Sequence, residues 1–192
     1  MVEFTISLLV LIPLLLGAFV FGFKLVRSLQ MEQIVRDVGH MYARNVDFRS
    51  AGSVQVAQQL ASGYDLTSSG TSELILSQIS VVQQADCDAG NPTLPSGTHC
   101  TNLNYPVYVE ELILGNSGDG TSNFGCPPLQ GDSTVSAANR ANNTLARASG
   151  FSSVLTLQAN ETAYVVEMFN LTPEFNIAGF SGAPLIYARS VF

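Results

Sequence analysis

The stretch that decides the fold is "MVEFTISLLVLIPLLLGAFVFGF", residues 1–23, in which one carboxylate, Glu3, precedes an uncharged run from Phe4 to Phe23. At about 1.5 Å per helical residue, a helix of this length spans roughly the ~30 Å hydrocarbon core of a bilayer. The run is also longer than the apolar region of a typical signal peptide. The stretch therefore predicts a helix that resides in a membrane.

The helical pattern continues beyond Phe23 and becomes amphipathic. Apolar residues recur at intervals of mostly three to five, while a second face is charged or carries histidine. The apolar positions are Leu25, Leu29, Ile34, Val38, Met41 and Tyr42, and the polar face carries Glu32, Arg36, His40 and Arg44. We expect one helix to about Asn45. This divides the chain into a helical stem of residues 1–48, apolar over 4–23 and amphipathic over 24–48, and a head of residues 49–192.

Three residues interrupt the apolar half of this stem. Pro13 removes one backbone donor and its ring clashes with the carbonyl of Leu9, while Gly17 and Gly22 weaken the following turns by ~1 kcal/mol each relative to Ala. They predict a kink or a locally unwound stretch between Pro13 and Gly22. The alternative is an ordinary membrane helix, in which Pro and Gly are tolerated.

The head reads as strands with a few short helices. Ser53 is the predicted N-cap of a second helix, "SVQVAQQLASGYD", which Gly63 helps to end. Strand-like runs follow in "SELILSQISVV" from Ser72, "YPVYVEELIL" from Tyr105, "TAYVVEMFNL" and "PLIYARSVF", with a predicted helix from Thr134 to Arg147. Together these elements predict an α+β fold in which the C-terminal half of the stem packs on an antiparallel sheet.

Charge and cysteine usage bear on the environment of the head. After Arg49 there are eleven acids but only three arginines, so the sequence predicts no attraction for nucleic acid or an anionic lipid surface. Cys87, Cys100 and Cys126 lie in loops rich in Gly, Pro and Asn, which is typical of an oxidising compartment. We expect a disulfide between Cys87 and Cys100 and leave Cys126 unassigned, since three cysteines allow three single pairings.

The charges that flank the apolar run favour a cytoplasmic head instead. Lys24, Arg27 and Arg36 follow it, and the positive-inside tendency alone would place the head in the cytoplasm. An extracytoplasmic head is consistent with these charges if a short basic leader has been removed ahead of Met1. The alternative is that Met1 initiates an unprocessed anchor.

No arrangement of side chains in the sequence indicates catalysis. Only His40 and His99 are available for a nucleophile–base pair, and "GFSGAP" at residues 179–184 is better interpreted as a turn than as a nucleophile elbow. A zinc set of the three cysteines with His99 lacks the usual paired spacing, and "GNSGDGTSN" around Asp119 lacks the spaced acids of a calcium loop. We predict no enzyme activity, no cofactor and no metal.

Other short motifs concern modification and paired acids. Asn142, Asn160 and Asn170 stand in N-x-Ser/Thr patterns, which are glycosylation candidates only in a source that glycosylates them. Glu110 and Glu111 are adjacent, and a strand sends adjacent side chains to opposite faces, so they are poorly placed to act as a pair.

The segment "VEFTISLLVLIPLLLGAFVFGFKLVRSLQMEQIVRDVGHMYAR" resembles the N-terminal helix of type IV pilin-like proteins, and more narrowly of the TadE/TadG-like pseudopilins of tight-adherence systems. The closing "AYVVEMF" and "YARSVF" are similar more loosely. The resemblance implies leader removal by a prepilin peptidase, residence in the inner membrane and export by pilus assembly machinery. It implies a homopolymeric extracellular filament on the bacterial surface that supports adhesion, with Glu3 opposite the N-terminal amine of Met1 on a neighbouring subunit.

Two alternatives remain open at this point. One is a minor pseudopilin or membrane-anchored assembly factor that primes a pilus. The other is a single-pass anchor that presents a binding or enzymatic head.

Overall fold

The structure is a computed structural model that describes the backbone of residues 2–118, 120–171, 176–177, 180–181 and 185–192, and the side chains of residues 7–118, 120–171 and 185–192. The helices are α1 (Val2–Ala43), α2 (Ala51–Leu60), α3 (Gln84–Gly90) and α4 (Ala137–Asn142). The strands are β1 (Ser72–Val81), β2 (Pro106–Gly115), β3 (Thr162–Leu171), β4 (Asn176–Ile177), β5 (Phe180–Ser181) and β6 (Leu185–Val191). The predicted α+β class, with a long apolar N-terminal helix and an antiparallel sheet, is confirmed.

Helix α1 changes character along its length. Its second half buries the stripe Met31, Ile34, Val35, Val38 and Tyr42, while its polar positions from Glu32 to Arg44 face solvent. The stripe begins later than the sequence suggests, because Leu25 and Leu29 are exposed. The helix ends at Ala43, close to the predicted Asn45, which adopts a positive φ of 61°. A left-handed residue of this kind is a common way to end a helix, and Asn tolerates it better than most residues.

The four long strands form one antiparallel sheet in the order β2-β1-β3-β6. Strand β1 lies at its centre, with Ile75 paired to Ile113 on β2 and to Glu167 on β3. The register shifts after Gln78, since Gln78 pairs with Glu110 but Ile79 pairs with Tyr108. This β-bulge leaves Val109 as the extra residue of β2.

Side chains alternate between the two faces of this sheet, and each face has its own core. One face carries Leu74, Leu76, Val166 and Met168 against the buried stripe of α1. The other face is covered by the chain between β2 and β3, and its core gathers Ile79, Tyr108, Phe124, Phe151 and Val165 with smaller residues. The predicted contact between the second half of the stem and the sheet is thus present.

The short helices depart from the sequence prediction in three ways. Ser50, rather than Ser53, is the N-cap of α2, because its Oγ accepts from the Ser53 backbone N–H at 3.3 Å. The predicted helix over Thr134–Arg147 reduces to α4 and a single 3₁₀ turn, because its first residues bridge to β2 and to Leu129. Helix α3, which contains Cys87, was not predicted.

The chain end packs on the stem. Phe192 continues β6 and exchanges two backbone hydrogen bonds with Tyr164, each of 2.9 Å. Its ring lies beside His40, with centroids 4.7 Å apart, and directly over Gly39. A Cβ on Gly39 would lie 2.0 Å from Cε2 of Phe192, so this close approach requires glycine.

Candidate assembly surface

The first half of α1 is an apolar helix that nothing in the described chain covers. Among the residues whose side chains are described, most of the exposed large hydrophobic ones lie there between Leu8 and Leu29, with Leu9 73% and Phe21 75% exposed. Exposed apolar area this extensive in a water-soluble protein marks an interaction site or a membrane segment. By length and composition the described helix Ser7–Ala43 can cross a membrane, as an anchor or as a signal sequence.

One side of this exposed helix carries a shallow apolar groove of about 360 Å³. The groove is lined by Leu15, Ala18, Phe19, Gly22, Phe23 and Val26, which share one helix face. The rings of Phe19 and Phe23 stack with centroids 6.4 Å apart, and Gly22 opens to free space. Small residues four positions apart, such as Ala18 and Gly22, let a second helix approach closely.

The helix runs without a break through the residues predicted to disturb it. Pro13, Gly17 and Gly22 all lie inside α1, so the stretch between them is helical, as in the alternative of an ordinary membrane helix. Membrane-type helices tolerate such residues when neighbours satisfy the freed backbone groups. A bend at Pro13 stays a prediction.

The predicted assembly contact involves the extreme N-terminus. Met1 lies outside the described residues, and so does the side chain of Glu3, whose backbone belongs to α1. The pairing between them therefore stays a prediction.

A hydrogen-bonded junction joins the end of the stem to the sheet. Tyr42 donates its hydroxyl to one oxygen of Glu110 at 2.6 Å, and Arg49 donates Nη2 to the other oxygen, also at 2.6 Å. Arg49 also donates Nε to the backbone carbonyl of Asp132 at 3.1 Å. The hydrogen bond to Glu110 is the main reason that the pKa of Arg49 lies above its ordinary value. Higher on the stem, Tyr64 donates to the carbonyl of Arg27 at 2.9 Å, so the head is attached at both ends of the buried stripe.

The far face of the sheet holds three buried acids that the sequence did not suggest. Glu73, Glu111 and Glu167 come from β1, β2 and β3, and none is more than 5% exposed. Glu110 and Glu111 do point to opposite faces, as expected, but Glu111 finds its acidic neighbours across the strands. Only the register of three strands brings these residues together, so no local motif could have revealed them.

These carboxylates hold the loop after β2 onto the sheet. Glu167 accepts from the Ser122 and Tyr187 hydroxyls and from the Asn123 N–H, at 2.5, 2.6 and 3.2 Å. Glu73 accepts from the N–H of Gly120 at 2.8 Å. Burial, and then the nearby charge of Glu167, raises the pKa of Glu111 to about 7.

The predicted disulfide is present, and Cys126, which the sequence leaves unassigned, is a free thiol. Cys87 and Cys100 are joined by a disulfide across a separation of 13 residues, and Cys126 is an exposed free thiol. Asp88 organises the loop inside the disulfide by accepting from Gln84, Ser96 and Gly97 at 2.9 to 3.0 Å. These hydrogen bonds, chiefly that from Gln84, lower the pKa of Asp88.

The glycosylation candidates differ in exposure. Asn142 and Asn160 are exposed, whereas Asn170 is 3% exposed and donates Nδ2 to Ser72 Oγ at 2.7 Å. The folded chain therefore has no room for a glycan on Asn170. Modification of the other two stays a prediction.

Among the described residues, no group of three or more His, Cys, Asp or Glu is arranged to hold a metal ion. The disulfide uses two members of the zinc set considered above, and Asp119 of the calcium alternative lies outside the described residues. No family model, no curated protein and no solved structure matches this chain.

Proposed function

We propose that this chain is a structural subunit of an extracellular type IV pilus-like filament that supports surface attachment. The observation that carries the proposal is the division of α1 into two halves. The half from Met31 to Tyr42 is fixed to the sheet, and the half from Leu8 to Leu29 projects with its apolar side chains exposed. A head held rigidly on a bare apolar helix is suited to polymerise through that helix.

Packing, rather than escape from water, drives assembly of such helices. Before assembly the apolar half lies in the inner membrane, where lipid tails are as apolar as leucine, so helix burial alone yields little free energy. Close contact at Ala18 and Gly22 and interlocking of Phe19 and Phe23 provide the attraction instead. Head-to-tail contacts of this kind that do not close into a ring generate a helical polymer.

Glu3 supplies a second, directional contact in this proposal. A carboxylate inside an apolar bundle costs several kcal/mol unless it is paired. The α-amine of Met1 on a neighbouring subunit is the cation that the assembly offers. A prepilin peptidase would expose that amine, and the pilus machinery would then move the subunit from the membrane into the filament.

The deciding experiment compares Glu3→Gln with Glu32→Gln in cells that produce the chain, with sheared surface material and membranes analysed separately. Glu32 is an exposed acid on the same helix outside the apolar half, and it controls for loss of one negative charge. We expect long filaments from the wild type and from Glu32→Gln, and subunits that stay in the membrane for Glu3→Gln. Mass spectrometry of the mature N-terminus tests the peptidase step.

Other outcomes identify the alternatives. A chain present in trace amounts at the base of filaments made of another protein would indicate a minor pseudopilin or priming factor. A chain found only as a membrane monomer would refute the filament and indicate a single-pass anchor.

A further inference from the structure

A polar cavity of about 170 Å³ lies where the stem meets the sheet. Its floor is one cross-strand row, since Gln78 on β1 pairs with Glu110 on β2 and with Tyr164 on β3. Its roof is the last turn of α1 with Tyr42, followed by Asn45. The cavity thus forms only when stem and sheet are docked.

The charged groups of the cavity wall are paired with one another. Glu110 accepts from Tyr42 and from Arg49, and Arg49 also lies 4.0 Å from the carboxylate of Asp47. An anionic ligand would have to compete with two carboxylates for Arg49, and a cationic ligand would have to compete with Arg49 for Glu110. The wall therefore favours a neutral ligand.

Two amide side chains in the cavity keep hydrogen-bonding capacity. In the described part of the chain, the Gln78 amide makes no hydrogen bond, although the residue is half-buried. Asn45 uses Oδ1 for a long contact of 3.4 Å from the Tyr164 hydroxyl, and its Nδ2 has no acceptor among the described residues. Each amide offers both a donor and an acceptor at neighbouring positions.

The backbone beside Gln78 is irregular. The β-bulge at Val109 follows directly after the pair between Gln78 and Glu110. Bulges re-aim side chains and are over-represented next to functional sites. Beside the amides, the rings of Tyr42 and Tyr164 meet edge to face with centroids 5.2 Å apart and give the cavity an apolar wall.

We propose that this cavity binds one neutral, hydroxyl-rich ring, a monosaccharide or the terminal sugar of a glycan. Paired donors and acceptors on Gln78 and Asn45 match adjacent hydroxyls, while the half-buried ring of Tyr164 offers an apolar surface to the C–H face of a sugar. The volume is well below the ~300 to 1,000 Å³ of a drug-sized ligand site, so it accommodates one ring rather than a chain. This site lies between the stem and the sheet of a single chain, so binding to it does not require a filament.

The test uses the full chain in detergent, with D-glucose, D-galactose and N-acetyl-D-glucosamine titrated separately and inorganic phosphate as the charged comparison. NMR follows the side-chain amides of Gln78 and Asn45. We expect at least one sugar to shift both signals saturably and phosphate to leave them unchanged. Gln78→Met keeps the side-chain length but removes the amide. It should weaken binding of that sugar about tenfold, which corresponds to a loss of ~1.4 kcal/mol.

Two further variants sharpen the result. Tyr164→Phe keeps the ring and removes only the hydroxyl that donates to Asn45 at 3.4 Å, so it should weaken binding through a less well positioned Asn45 amide while the chain stays folded. Gln58→Met, at an exposed position on α2, should bind as the wild type does. The proposal is overturned if none of the three sugars shifts the two amides saturably, if phosphate does so more strongly, or if Gln78→Met binds as tightly as Gln58→Met.

Discussion

Glu111→Gln should raise the stability of the protein relative to wild type progressively as the pH rises. Glu111 is 5% exposed on the far face of the sheet, where it shares its surroundings with Glu73 and Glu167. Among the described residues, the Glu111 carboxylate accepts one hydrogen bond, a long contact of 3.5 Å from Ser77, which a glutamine carbonyl can also accept. The substitution therefore removes the charge and keeps the shape.

The magnitude follows from the pKa of Glu111, which rises from 4.5 to about 7 on folding, mainly through burial. A group with a raised pKa holds its proton longer in the folded than in the unfolded state, so the free energy of unfolding falls as pH rises between these two values. At 1.36 kcal/mol per pH unit the loss amounts to about 3 kcal/mol. It is complete above about pH 7 and absent below the unfolded pKa.

Urea unfolding of the full chain in one detergent, followed by circular dichroism, measures this effect at a series of pH values between about pH 4.5 and about pH 8. We expect the difference in unfolding free energy between Glu111→Gln and wild type to grow by about 3 kcal/mol across that range. An unsatisfied amide N–H in the variant would cost ~1 to 3 kcal/mol at every pH. The change with pH is thus the diagnostic quantity, rather than the stability at one pH.

Glu32→Gln provides the matched control, because it removes one carboxylate from an exposed position on α1. Its curve shows what the loss of an exposed carboxylate contributes over the same range. Parallel curves for wild type and Glu111→Gln would refute the reasoning, since they would mean that Glu111 titrates alike in the folded and unfolded chain. Asp88 affects stability in the opposite sense and at a more acidic pH, because hydrogen bonds lower its pKa in the folded state. The stability that Asp88 contributes is present above its unfolded pKa and is lost as the pH falls.

Three further predictions concern local structure. Gly39→Leu should displace the ring of Phe192 and lower the free energy of unfolding by ~1 to 3 kcal/mol in a urea titration, and an unchanged midpoint would contradict the close contact. Cys100→Ser should cost ~3 kcal/mol through loss of the cross-link, whereas Cys126→Ser should leave the melting temperature unchanged. Ser50→Ala should cost ~1 kcal/mol by removing the α2 N-cap, as measured in the same titration.

The parts of the fold that the sequence predicts are those with a strong local signal. The uncharged run after Glu3 and the spacing from Ile34 to Tyr42 predict α1, because helical periodicity is a property of neighbouring residues. The runs from Ser72 and Thr162 are strand-like in sequence, and each strand begins at the predicted residue. The cysteine pairing was predicted from loop composition alone.

The features that the sequence does not predict depend on contacts between residues that lie far apart in the chain. Helix α3 is the heptapeptide "QADCDAG", too short for a periodic signal, and it is held by the disulfide and by contacts with α4. Thr134 and Val135 were predicted to be helical, but bridges to Glu110 and Leu129 keep them extended. Both the three buried acids and the junction cavity arise from strand register, which a single strand does not reveal.

Folding of the head buries only the second half of α1, so the first half remains available for assembly. The sheet face that packs against α1 is already covered by the buried stripe of Met31, Val35 and Val38. The ring of Phe192 also packs directly over Gly39 of the same helix. The apolar side chains up to Leu29 precede Met31, the first residue of this stripe, on a continuous helix, so they cannot fold back onto the same core. Burying these side chains requires a lipid bilayer or other chains. In the proposed function, the helix leaves the bilayer and packs against the helices of other chains.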